Sequence, residues 1–180
     1  MSLGRNPLES EKERIDRIML SEKVANLLNQ QVNKELYFAY LYLHFSNFYA
    51  QEGLDGFSNW YMVQAGEERD HAMQFVKYLQ NNDAPVVYEA IQKPEVKLVD
   101  KMDPLKAGLE HEKYVTGLIH AIYEAAFEDR DFRTMQFLDW FVKEQNEEEV
   151  GAAELVKRME LFGSDARGLY LLNSELGGRK

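Results

Sequence analysis

Four long stretches of this sequence set apolar residues at alternating steps of three and four, the spacing that lays side chains along one face of an α-helix. No segment alternates with the period of two that a strand requires. The first stretch opens at Ser21-Glu22 and runs to about Tyr49, where Gly53 stops it; the second runs from Asp55 to about Gln80 and ends in Asn81-Asn82-Asp83. A third begins at Asp103-Pro104, a cap residue ahead of a proline at the first helical position, and continues to about Phe127. The fourth follows a brief turn over Glu128 to Asp131 and reaches about Phe162, halted by Gly163. Helices of roughly 26 to 30 residues are each about 40 Å long, the size of bundle helices. A shorter apolar stretch, Leu169 to Leu176, predicts a fifth and smaller helix. The expected fold is all-α, a four-helix bundle.

The connections decide the topology. First to second and third to fourth are joined by only a few residues, so each pair forms an antiparallel hairpin. The segment from about Asn82 to Met102 contains two prolines and no convincing helix. About 20 residues of extended chain reach ~66 Å, enough to run the whole height of a bundle. A crossover that leaves the second and third helices parallel is therefore expected. A chain of 180 residues has room for one ordinary core, placed here at residues 20–180. Residues 1–19 are charged and weakly periodic, and read as an amino-terminal extension, disordered or partly an expression remnant.

The inner stripes carry the chemistry. They read Leu28, Val32, Glu35, Phe38 or Ala39, Tyr42, Phe45 on the first helix and Phe57, Tyr61, Gln64, Glu68, His71, Phe75, Tyr78 on the second. The third gives Leu105, Leu109, Glu112, Val115, Ile119, Ile122, and the fourth Leu138, Phe141, Gln145, Glu148, Ala152, Leu155. Each helix thus has an acid where packing wants an aliphatic group. The levels agree: Glu35 lies 15 residues before Ala50 and Glu68 13 after Asp55, while Glu112 lies 16 before Glu128 and Glu144 13 after Asp131. A weak internal repeat emerges, with Glu68-x-x-His71 in one half and Glu144-x-x-Glu147 in the other.

Buried glutamates sharing one level cannot all ionise without a compensating charge, because desolvation and mutual repulsion both hold their protons on. The inner stripes around this layer contain no lysine or arginine, so metal is the economical counter-charge. Cysteine is absent, which excludes disulfides, thiolate zinc, iron–sulfur ligation and cysteine nucleophiles. Oxygen ligands with a single imidazole favour iron or manganese, and a Glu68 bridging two ions would give a two-metal geometry. A balance of 31 acidic against 21 basic residues, net -10, repels nucleic acid and anionic membranes and attracts cations. No stretch reaches the roughly 18 apolar residues of a membrane span, and no signal-peptide apolar region is evident, so the expected compartment is the cytoplasm.

Several motifs in order, Gln31-x-Asn33-x-Glu35 with Tyr42 one heptad on, Glu67-Glu68-Arg69-Asp70-His71, His111-Glu112-Lys113 and Trp140-x-x-x-Glu144-Gln145-Asn146-Glu147-Glu148, span the chain from Met19 to Leu176. In these the sequence resembles the prokaryotic non-haem ferritins of the ferroxidase-active type. The resemblance implies a first iron site of Glu35, Glu68 and His71, and a second of Glu68, Glu112 and Glu148 with Gln145 nearby. It also implies a third iron position built from Glu67, Glu144, Glu147 and Glu148. Tyr42 would be a hydrogen-bonding or redox-active neighbour of the centre, with Trp140 close. It further implies a hollow 24-subunit shell of octahedral symmetry, with residues from Ser164 onward forming the short helix at its four-fold axis. Fe(II) would be oxidised by dioxygen or peroxide and stored as ferric mineral.

Two departures narrow the resemblance. Glu147 stands where bacterioferritins place a second histidine, and Arg69 where they place a haem-ligating methionine, so no haem is expected. The alternative is a di-iron oxidase or peroxide-detoxifying relative that keeps two ions and stores none; further off stands a metal-free interaction bundle. His44, His111 and His120 fall outside the shared layer and are not proposed as ligands.

Overall fold

The computed structural model describes residues 20–180; the extension expected over residues 1–19 lies outside the described residues. Five helices follow one another: α1 (Glu22–Gln51), α2 (Asp55–Asn81), α3 (Asp103–Glu128), α4 (Phe132–Phe162) and α5 (Ala166–Leu176). Ser21 starts α1 by accepting the Val24 amide at 3.2 Å, and Asp131 starts α4 by accepting that of Thr134 at 3.1 Å. Between α1 and α2 the chain reverses through Gly53 at φ 72°, a left-handed conformation that a side chain would strain.

One start differs from expectation. Asp103 is not the cap of α3 but its first residue, and its carboxylate accepts the amides of Val99 and Asp100, each at 2.8 Å. Pro104 lacks an N–H of its own to offer, so the acid serves the unpaired amides of the incoming turn.

Two apolar clusters fix the directions of the helices. One joins Val24, Leu28 and Val32 of α1 to Phe75, Val76 and Leu79 of α2, Ile119 and Ile122 of α3, and Leu138 and Phe141 of α4. The other joins Tyr42, Phe45 and Tyr49 of α1 to Phe57 and Tyr61 of α2, Leu105 of α3, and Leu155 and Met159 of α4. The beginning of α1 therefore shares an end with the end of α2, the end of α3 and the beginning of α4. That arrangement is a bundle with two antiparallel hairpins whose α2 and α3 run parallel.

Residues 82–102 make the crossover, and α1 carries it. Asn29 donates to the Pro85 carbonyl at 3.0 Å and accepts from the Val87 amide at 2.7 Å. One turn on, Asn33 donates to the Val87 carbonyl at 2.7 Å and accepts from the Glu89 amide at 2.8 Å. Two asparagines spaced i, i+4 thus act as a short edge against which an extended chain pairs.

Helix α5 folds back on the start of α2. Asn173 accepts the amides of Gly56 and Phe57, at 2.8 and 3.2 Å, and so caps α2 from a distance. The approach needs Gly56, since a Cβ there would lie 1.6 Å from the Asn173 carbonyl oxygen. Among the described residues no helix is long and apolar enough to cross a membrane.

Candidate metal centre

Between the two clusters lies the layer of acids. Glu35, Glu68 and Glu112 are 1%, 2% and 3% exposed, and His71 is 7% exposed. One ligand atom from each of Glu35, Glu68 and His71 can be chosen so that all lie within 4.8 Å of one another. The same holds for Glu68, Glu112 and Glu148, and for His71, Glu144 and Glu148. The first two groups share Glu68, and the third shares a residue with each of them. A contiguous track of oxygen-rich positions results, with one imidazole.

Neutral amides hold the carboxylates in place. Gln31 donates to Glu35 at 2.7 Å, one helical turn away. Gln64 donates to Glu148 at 2.9 Å and lies 3.4 Å from Glu68, and Gln145 donates to the Glu112 carboxylate at 2.7 Å. The Tyr42 hydroxyl also donates to Glu112. Donors so placed orient the acids without neutralising them.

Electrostatics of the layer call for a cation. Burial, then the charge of Glu68, pushes Glu35 well above the usual carboxylate range, and its Oε2 is buried without a hydrogen-bond partner. Burial and the charges of Glu112 and Glu68 push Glu148 up to about 10, and burial with Glu68 pushes Glu112 up to about 7. Burial also acts upward on Glu68, but the hydrogen bond and charge of His71, 3.5 Å away, outweigh it and set this acid below its ordinary value. Desolvation lowers His71, yet Glu68 raises it further, so its net shift is upward. Tyr42 is held as a neutral phenol by burial and then by the charge of Glu112. An orphaned carboxylate oxygen amid acids that retain protons fits a divalent or trivalent ion, which would replace those protons.

Two of the residues expected at a third position, Glu67 and Glu147, belong to none of these groups but line one cavity with Glu144 and Glu148. Glu67 is held by Arg179, and Glu147 pairs with Lys143 at 3.4 Å on the exposed side of α4. Trp140 is half exposed, its ring edge-on to His71 at 5.5 Å. His44 faces the crossover, its Nε2 3.4 Å from the Val96 carbonyl, and His120 is exposed.

Four contributors were given no role by the sequence reading. Gln31 and Gln64 each precede an inner glutamate by four residues, a spacing that could have marked them as holders of Glu35 and Glu68. His111, assigned outside the layer, is packed edge-on against Phe38 at 4.0 Å and Tyr42 at 5.6 Å. Its Nε2 is buried without a partner, and burial pushes the ring down to about 4. Arg179, in the segment after α5, reaches Gln64 and Glu67 beside the layer, and no local pattern announces it.

Comparison with known proteins agrees with this geometry. The family described as ferritin-like domain matches residues 25–162. A bacterial non-heme ferritin of Campylobacter jejuni is 37% identical over 153 residues, 85% of this chain and 92% of the relative. One from Staphylococcus aureus is 32% identical over 161 residues, covering 89% and 97%. Among solved structures, an open-pore ferritin from Archaeoglobus fulgidus superposes with a TM-score of 0.87 at 39% identity, covering 89% of this chain and 98% of its own. With its bundle, its crossover and its carboxylate layer, this chain belongs to the ferritin family.

Proposed function

We propose that the chain is a ferroxidase and an iron-storage subunit, which takes Fe(II) as substrate at the Glu35, Glu68, His71 group and the Glu68, Glu112, Glu148 group. Each Fe(II) gives up one electron, and dioxygen or peroxide accepts the electrons in pairs. The observation that carries this reading is the sharing of Glu68 by two ligand groups, a geometry that would hold two ions side by side. Glu112 and Glu148 keep protons up to about 7 and about 10, so loading two cations at neutral pH releases protons into the cavity beside them. Gln145 and Tyr42 keep Glu112 aimed through this exchange, and Gln64 does the same for Glu148.

The ferric product leaves along the third group, His71, Glu144 and Glu148, for the cavity of a 24-subunit octahedral shell built from copies of this chain. Glu67 and Glu147 line the same cavity of about 230 Å³ as Glu112, Glu144 and Glu148, which supports their place on the exit route. A reducing compartment keeps the substrate ferrous, so the cytoplasm belongs to the same proposal.

The test is Glu68→Ala. Removing the shared ligand should slow ferrous oxidation, followed by stopped-flow absorbance, by more than about a hundredfold, beyond the cost of losing an outer partner. Oxidation at the wild-type rate would rule the centre out. Iron content after aerobic loading separates storage, with many ions per subunit, from an oxidase that retains two.

A further inference from the structure

Among the described residues, the cavity that opens beside the acids is lined by one basic side chain, Arg179, from the segment after α5. Arg179 donates to Gln64 Oε1 at 2.9 Å and to the Glu67 carboxylate, and its guanidinium lies over the Trp60 ring at 4.1 Å. Its own carbonyl accepts from Asn59 at 3.0 Å, so the backbone is tied down as well as the side chain. Gln64 is the amide whose nitrogen donates to Glu148, which leaves Arg179 one side chain removed from the ligand layer. Arg179 also lines the cavity together with Glu67, Glu144, Glu147 and Glu148.

We infer that Arg179 is a tethered counter-ion that occupies the Glu67 side of this cavity and must be displaced before a divalent cation can bind there. The inference rests on the reading of the acid layer as a metal centre. A guanidinium satisfied by a carboxylate, an amide oxygen and an indole face is a fixed occupant. With Arg179 in place Glu67 is neutralised, and a cation in the mouth meets one negative charge fewer. The Glu67 side chain is 43% exposed, however, so solvent screens the pair. An ion with twice the charge, gaining Glu144 as well, can displace it. The arginine thus sets the ion concentration at which the outer end of the track fills, and it leaves the buried positions alone.

The experiment uses the assembled protein and redox-inert Zn(II), followed by calorimetric titration and by anomalous diffraction at the zinc edge. Arg179→Gln removes the charge and keeps the backbone tie; Lys180→Gln makes the same charge change one residue away. The expected result is that zinc at Glu67 fills at about tenfold lower concentration in Arg179→Gln than in wild type, roughly the worth of one charge-assisted contact. Zinc at Glu35, Glu68 and His71 should be unchanged, and Lys180→Gln should match wild type. Coincident titrations for wild type and Arg179→Gln, with the buried positions filled, would overturn the counter-ion role alone. An equal shift in Lys180→Gln would overturn it too, as an effect of overall charge. Empty buried positions in all three proteins would overturn the metal reading and this inference with it.

Discussion

Glu148 retains its proton to about 10 because burial is added to the charges of Glu112 and Glu68, and this has a consequence for stability. An unfolded glutamate titrates near 4.5, so between 4.5 and about 10 the native chain holds a proton that the unfolded chain has lost. The contribution is full below 4.5 and is lost as pH rises through the folded value. Glu112 acts alike up to about 7, and the raised His71 acts in the same direction. His111 works oppositely, since burial holds it near 4 and its contribution disappears as pH falls below 6.5. Above 6.5 that opposition is gone. The thermal midpoint of metal-free protein should therefore fall steadily from pH 6.5 to 10, and Glu148→Gln should flatten the slope, both measurable by calorimetry. With Zn(II) bound the sign should reverse, because the ion now competes with the proton for the same oxygens.

The docking of helix α5 depends on Gly56. A methyl group at that position meets the Asn173 carbonyl oxygen at 1.6 Å, and both are backbone-bound, so neither yields cheaply. Gly56→Ala should lose about 1 to 3 kcal/mol, in the range of overpacked cores, and should release α5, read as faster proteolysis of residues 163–180 while the bundle stays helical. The same contact explains why some of this molecule was legible in the sequence and some was not. Glu35, Glu68 and Glu112 were readable because a helix records burial at fixed intervals, and counting from the turns put them at one level; on the fourth helix the same count met Glu144, one turn short of the stripe residue Glu148. The crossover was readable because two prolines and its length left no other path. Asp103 was misassigned because the proline after it is a local signal, whereas the amides it serves belong to the preceding turn. Arg179 meets Glu67 across 112 residues, and that meeting is decided by how α5 docks, which no periodicity encodes.

At the scale of the molecule, the single chain leaves unfinished surface at its α4–α5 corner. Leu161, Phe162, Tyr170 and Leu171 remain exposed there, while Leu172 and Leu176 on the other face of α5 are buried against the bundle. A helix that is apolar on both faces has a second surface to cover, and other copies of the chain would cover it in the proposed shell. Twenty-four copies of a 21.0 kDa chain make a particle of about half a megadalton, which analytical ultracentrifugation separates cleanly from a dimer. Burying Tyr170 or Leu171 should contribute about 1.5 to 3 kcal/mol per side chain, repeated at every copy, so small changes at this corner are multiplied around the assembly. Placing two charges there, as Tyr170→Glu with Leu171→Glu, should break the particle into smaller species. Neither residue belongs to the two core clusters, so the helical content of each subunit should be retained by circular dichroism. Ferrous oxidation should survive in the fragments, since every ligand of the proposed centre lies within one chain, whereas soluble ferric mineral should not accumulate without a closed cavity to hold it.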